Sequence, residues 1–181
     1  KHHPGENQVL QDEFLPLRVA SGGNPWTSTD SGATWTETTA GISSGKYWYT
    51  IVSTEDGTKL AAVASGGYPW MSTDAGATWT EATAGIDSTK SWRSIATSGD
   101  GTKLAAVASG GYPWISKDSG ATWTQTTAGI DSTKSWMSIA SSNDGTKLAA
   151  VASGSRRWCY VVLRGLKLLP ALTAPKAGGA S

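Results

Sequence analysis

The apolar residues of this chain fall in short runs, cut by glycine-centred polar turns about every ten residues. One stretch shows the whole pattern. Trp92-Arg93-Ser94-Ile95-Ala96 leads to the turn Asp100-Gly101-Thr102, then to Lys103–Ala108, then to Gly110-Gly111. Trp114-Ile115-Ser116 follows, then the turn Asp118-Ser119-Gly120, then Thr122-Trp123-Thr124-Gln125-Thr126. Runs of this length, rich in Trp, Thr, Val and Ile, are strand-sized, and no helical periodicity is sustained between the glycines. The pattern predicts four short strands and a connecting loop from Ala128 to Ser135. Pro25, Pro69 and Pro113 each precede a tryptophan. Proline cannot donate to a β-ladder, so each marks the start of a third strand.

The pattern recurs. Trp26, Trp70, Trp114 and Trp158 are 44 residues apart, as are Trp35, Trp79 and Trp123, and Trp48, Trp92 and Trp136. Residues 66–109 and 110–153 align without a gap and differ at eight positions. The copy at 22–65 is more divergent but keeps every turn, and Leu17–Ser21 matches the end of a preceding copy. After Gly154 the register fails, and only Trp158 keeps its place. Four strands in a unit of this length, repeated in tandem, is the arithmetic of a β-propeller blade. The predicted fold is therefore all-β, a partial β-propeller of about three and a half four-stranded blades; an all-β solenoid is the runner-up. Residues 1–16 read as an irregular N-terminal segment, 17–154 as the blades, and 155–181 as a basic, divergent tail in which Trp158–Leu163 can still pair as a strand. So few blades leave a ring open. The chain is thus expected to be part of a longer protein and to self-associate through its open blade faces.

Charge excludes some partners. The net charge is +1, which gives no case for nucleic acid. The longest apolar stretches, such as Leu168–Leu172, are too short to span a bilayer, and no targeting sequence is visible. The distribution is uneven: all five charged residues of the tail, Arg156, Arg157, Arg164, Lys167 and Lys176, are basic. One cysteine, Cys159, excludes an internal disulfide and a cysteine-rich zinc site.

The motif Ser-x-Asp-x-Gly-x-Thr-Trp occurs three times, with Ser28, Asp30, Gly32 and Trp35, then Ser72, Asp74, Gly76 and Trp79, then Ser116, Asp118, Gly120 and Trp123. At this spacing the carboxylate can accept N–H groups of its own turn. The glycine supplies a positive φ. The tryptophan folds back as an apolar plug with its indole N–H near a carbonyl. With this motif in each unit, the chain resembles the Asp-box (BNR) repeat families, which include sialidases, sortilin-type receptors and the photosystem II stability/assembly factors. The sequence Trp-x-Ser-Ile-Ala…Asp-Gly-Thr-Lys-Leu-Ala-Ala-Val is most similar to the assembly-factor repeats. The resemblance implies a peripheral structural role for the Asp-box turn.

Few residues offer chemistry. A sialidase, as the resemblance implies, needs an arginine triad, a Tyr–Glu pair and an acid/base Asp, and only Arg18 and Arg93 of the five arginines fall within the repeats. His2 and His3 are adjacent near the N-terminus with no third ligand in reach, so no metal or other cofactor is expected. Each Asp turn offers one carboxylate, too few oxygens for calcium. Two sets of residues remain as candidate binding positions. Tyr49, Arg93 and Met137 occupy one repeat position with three unrelated chemistries, which points to a side chain at the surface. The proline-stiffened pairs Tyr68 with Trp70 and Tyr112 with Trp114 are candidate sugar or peptide platforms. The leading expectation is a non-enzymatic scaffold for a protein partner, by resemblance photosystem assembly. The alternative is a secreted or surface carbohydrate-binding or glycan-processing, sialidase-like propeller.

Overall fold

The computed structural model describes residues 22–42, 46–87, 89–130 and 133–153, and the backbone of Cys159–Leu163. Among these residues every regular element is a strand. β1 (Trp26–Thr27) pairs with β2 (Thr36–Glu37). β3 (Trp48–Ser53), β4 (Leu60–Ala64), β5 (Trp70–Ser72) and β6 (Thr80–Glu81) form a four-stranded antiparallel sheet in sequence order. β7 (Trp92–Thr97), β8 (Leu104–Ala108), β9 (Trp114–Ser116) and β10 (Thr124–Gln125) form a second. β11 (Ser135–Ser141), β12 (Leu148–Ser153) and β13 (Cys159–Leu163) form a three-stranded sheet. Each sheet is a meander in which every strand pairs with the next, and the first strands β3, β7 and β11 pack side by side. This is a partial β-propeller with two complete blades between two partial ones.

The repeat fixes the register. Trp26 faces Glu37, Trp70 faces Glu81 and Trp114 faces Gln125. β1 and β2 are therefore the outer half of a blade. Each inner strand carries a bulge after its tryptophan: Trp48 pairs with Ala64 and Thr50 with Val63, and the same skip occurs at Arg93 and Met137. The tail departs from the repeat. In the complete blade Ala106 faces Trp114, but the equivalent Ala150 faces Val162, so β13 enters four residues out of the repeat register. Trp158 lies outside the described residues, as do 1–21 and the tail apart from β13.

Blades are joined by the loop that follows the outermost strand. Thr83-Ala84-Gly85-Ile86 closes on itself through Ile86 N–H to Thr83 O at 3.2 Å, then reaches the next blade, where Trp123 N–H donates to Ala84 O at 3.0 Å. Thr39–Ile42 holds Trp79 in the same way through Ala40 O at 3.2 Å. Gly41 and Gly85 have φ of 81° and 82°, and a Cβ on either would collide with the carbonyl oxygen of the tryptophan it covers. Further in, the Trp92 indole donates to Gly67 O and the Trp136 indole to Gly111 O, both at 3.0 Å across blades. Buried Trp92, Trp114 and Trp123 share one core cluster with Ile95 and Leu104.

The plug expectation holds for Trp79 and Trp123, each 1% exposed, but not for Trp35, which is 59% exposed. The burial comes from the loop of the preceding blade, and no described loop covers Trp35. Trp123→Ala should therefore destabilise the chain by about 3–5 kcal/mol in urea unfolding, and Trp35→Ala by about 0.5 kcal/mol or less. Gly85→Ala adds a steric clash to backbone strain, whereas Gly66, with φ of 75°, has nothing within 4 Å of a new Cβ. Gly85→Ala should cost well over about 1 kcal/mol and Gly66→Ala only about that much. Equal urea midpoints for the two variants would contradict the close approach.

Candidate functional site

The three Ser-x-Asp-x-Gly-x-Thr-Trp turns are built alike. In the third, Ser116 Oγ donates to Asp118 Oδ1 at 2.7 Å and accepts Gly120 N–H at 2.9 Å. Thr122 N–H donates to Asp118 Oδ1 at 2.9 Å, its hydroxyl donates to Oδ2, and the Trp123 indole donates to Gly120 O at 3.1 Å. Both central residues take positive φ: Ser31 and Gly32, Ala75 and Gly76, Ser119 and Gly120. With Ala121 N–H bonded to Asp118 O at 3.2 Å, this is a type I′ hairpin turn. The glycine was foreseeable from the sequence. The left-handed Ser31, Ala75 and Ser119 were not, because nothing about Ser or Ala favours that conformation.

A second carboxylate turn closes the inner hairpin at the same end of the blade, where Ser119 N–H donates to Thr102 O at 3.0 Å. Ser98 Oγ donates to Asp100 Oδ1 at 2.6 Å and accepts Lys103 N–H at 3.0 Å, and Thr102 N–H donates to the same carboxylate oxygen at 3.0 Å. Only the glycine of each Asp-Gly pair, Gly57, Gly101 or Gly145, has positive φ. These turns also link blades: Glu55 N–H donates to Gly99 O at 2.9 Å, Gly99 N–H to Asn143 O at 2.7 Å, and Lys103 Nζ to Asp144 O at 2.7 Å.

The carboxylates of both turn types are thus tied to their own hairpins. The hydroxyl and amide of Thr122, then the hydroxyl of Ser116, hold Asp118 at about 2 against an ordinary 3.8. The same kinds of partner hold Asp30, Asp74, Asp56 and Asp100 at about 2, and Asp144 is lowered as well. These groups release protons more readily in the folded chain than in the unfolded one. Their contribution to stability is therefore complete above about pH 4 and lost as pH falls toward 2. The thermal midpoint should fall across that window, and a midpoint unchanged down to pH 2 would remove the turns from the account.

The tryptophans of the candidate aromatic pairs, expected to lie partly open, are covered. Trp70 and Trp114 are 4% and 5% exposed. Trp48 meets Trp70 edge-on at 6.0 Å with Lys46 Nζ 5.4 Å over the Trp70 ring, and Trp92 meets Trp114 edge-on at 6.4 Å with Lys90 Nζ at 5.6 Å. Tyr68 and Tyr112 are half-buried, and Tyr68 packs on the core. The proline places its tryptophan in the blade, where the inner strand covers it.

Tyr49, Arg93 and Met137 are brought together. They are the bulge residues of β3, β7 and β11, on neighbouring inner strands. The extra residue of a bulge leaves the ladder and re-aims its side chain. Arg93 Nη1 donates to the Tyr49 hydroxyl at 2.9 Å, and its guanidinium lies 4.8 Å over the Tyr49 ring. Tyr49 and Met137 are exposed and Arg93 is partly so. Directly after these residues, the inner strands line an open trough of about 500 Å³ that includes Thr50, Ser53, Ser94, Thr97, Ser138 and Ser141. The sequence carried a signal for the bulge residues, their variability between near-identical copies. It carried none for the trough, which needs three strands from three repeats. Among the described residues, Arg93 is the one arginine, and no group of three His, Cys, Asp or Glu is placed to hold a metal ion. His2 and His3 lie outside the described residues.

No family model matches the chain, and no curated protein matches it. Among solved structures, the chain is similar to an ancestral GH74 enzyme, with a TM-score of 0.62 and 20% identity over 78% of this chain and 20% of that one. It is also similar to the GH74 xyloglucanase from Xanthomonas campestris, with a TM-score of 0.55 and 16% identity over 78% of this chain and 26% of that one. The chain therefore spans about a quarter or less of either neighbour's length. At these identities the shared property is the fold, and no catalytic residue carries over. The neighbours do overturn the expectation that the chain is not an enzyme: both are GH74 enzymes on this fold, and a constellation missing from so short a span does not exclude catalysis by a longer whole. What the chain shares with these two GH74 enzymes is the β-propeller fold.

Proposed function

We propose that the chain is part of a carbohydrate-engaging β-propeller that holds a glycan along the inner strands, with the Tyr49–Arg93 pair at one end of the trough. The observation that carries this reading is the stack of Arg93 on Tyr49 beside an open trough whose lining mixes Ser and Thr with Val52, Ile95 and Ile139. A sugar offers an apolar C–H face and a ring of hydroxyls. An exposed aromatic edge, a guanidinium with donors to spare and serine and threonine oxygens match both features. The likeness to GH74 enzymes, one of them a xyloglucanase, supports glycan as the ligand class and makes xyloglucan oligosaccharides the first probes.

A protein-partner scaffold, with repeats similar to those of photosystem II stability/assembly factors, is the second reading. It is favoured by the regular spacing of the Asp-box-like motif. Calorimetric titration with xyloglucan, cellulose and sialylated oligosaccharides separates the two, and a reducing-sugar assay separates binding from processing. On the first reading one class of glycan binds. Tyr49→Ala and Arg93→Ala then weaken it by roughly tenfold each while leaving the melting midpoint in place, since both side chains reach solvent. Failure of every glycan to bind, or binding indifferent to both variants, would discard it.

A further inference from the structure

Three tryptophan or isoleucine positions that are buried in the later repeats are open in the first, residues 22–65. Trp26 is 53% exposed where Trp70 and Trp114 are buried, and Trp35 is open where Trp79 and Trp123 are plugs. Ile51 is 48% exposed where Ile95 and Ile139 are buried. Each has lost a specific neighbour. Trp70 and Trp114 rest on the inner-strand tryptophans Trp48 and Trp92 of their own blades. The motif tryptophans rest under the loop of the blade before. Inner-strand isoleucines pack on the blade before, Ile95 in one cluster with Ala61 and Val63 and Ile139 in one with Ala105 and Val107.

The other end of the described chain holds the missing neighbours. β11 and β12 are the inner half of a blade, and Trp136 stands where Trp48 and Trp92 stand. The loop Thr127–Ile130 repeats the sequence of Thr39–Ile42 and Thr83–Ile86 and is closed by the same bond, Ile130 N–H to Thr127 O at 3.1 Å. Yet Gly129 has nothing within 4 Å of its Cβ direction, where Gly41 and Gly85 press against a tryptophan carbonyl. One end offers the outer half of a blade and the other the inner half, together with the loop that grips it.

We infer that the chain joins a second copy head to tail, β1–β2 of one copy completing the blade begun by β11–β12 of the other. Trp26 of the second copy then lies on Trp136, and Trp35 sits under Thr127–Ile130. The repeat register places Trp26 opposite Ala150, as Trp70 lies opposite Ala62 and Trp114 opposite Ala106. The contact is heterologous, so its geometry decides between a ring and an open fibre. Each copy supplies two complete blades and one shared blade, so two copies supply six, within the known range of propeller sizes. That edge of β12 is now held by β13, out of the repeat register. β13 and the partner's β1 therefore compete for one edge, and the tail restrains assembly. This inference is independent of the proposed ligand.

Sedimentation velocity on the full chain and three variants tests it. Val161→Pro with Val162→Pro removes two donors from β13 and frees the edge. This double variant should associate at least roughly tenfold more tightly than the parent, with tryptophan emission moving to the blue as Trp26 and Trp35 are covered. Trp35→Ala, placed in the parent and in the proline variant, should weaken association roughly tenfold without moving the monomer's melting midpoint. Two results would each overturn the inference: both parent and proline variant remaining monomeric to high micromolar concentration, or association that is insensitive to Trp35→Ala. The Trp35→Ala comparison in the parent holds even if the proline variant folds poorly.

Discussion

Everything in this array rests on a tryptophan held beneath a neighbour's loop. A blade of this size has strands as short as two residues at its outer edge, and such a sheet has little surface to bury within itself. It gains its core by stacking. The loop Thr-Ala-Gly-Ile reaches across to the motif tryptophan of the next blade, and glycine allows the loop backbone to meet the tryptophan backbone. An indole offers a large apolar area and one N–H, and that N–H is satisfied inside its own turn. The plug can therefore be buried without leaving a donor unpaired. Remove the covering loop, as at Trp35, and the same indole with the same internal hydrogen bond stands in solvent.

The carboxylates serve that arrangement. Each of the two turn types uses a Ser or Thr hydroxyl and an Asp two residues later to organise a hairpin, and each leaves its carboxylate with oxygens already engaged. Six aspartates spread along the blades are thus local clamps repeated in register. The bulge residues, by contrast, are positions the fold does not need. The bulge takes Tyr49, Arg93 and Met137 out of the ladder, so their identity is free to vary while the strand continues.

Strong repetition has a further consequence. Any surface that joins one blade to the next exists at both ends of the array, once as a donor of the loop and once as an acceptor. Identical interior interfaces make the exposed ends complementary to each other by construction. Among the described residues, the tail strand β13 breaks this symmetry by pairing out of the repeat register.

The sequence by itself determined the strands, their order within each unit and the turns between them, because these depend on contacts inside one 44-residue repeat: alternating apolar runs, glycine at positive φ, and aspartate bonding to its own hairpin. It also singled out Tyr49, Arg93 and Met137, since variation among near-identical copies marks a position free of packing. Tertiary structure alone decided which tryptophans are covered. Trp35 and Trp79 share a motif and differ only in whether a loop from another blade lies above them. Trp70 and Trp114, which read as open platforms beside a proline, are closed by an inner strand more than twenty residues earlier in the chain. The stack of Arg93 on Tyr49 joins residues one full repeat apart. Burial and pairing across blades depend on which repeat lies next to which, and no pattern within a single repeat encodes that.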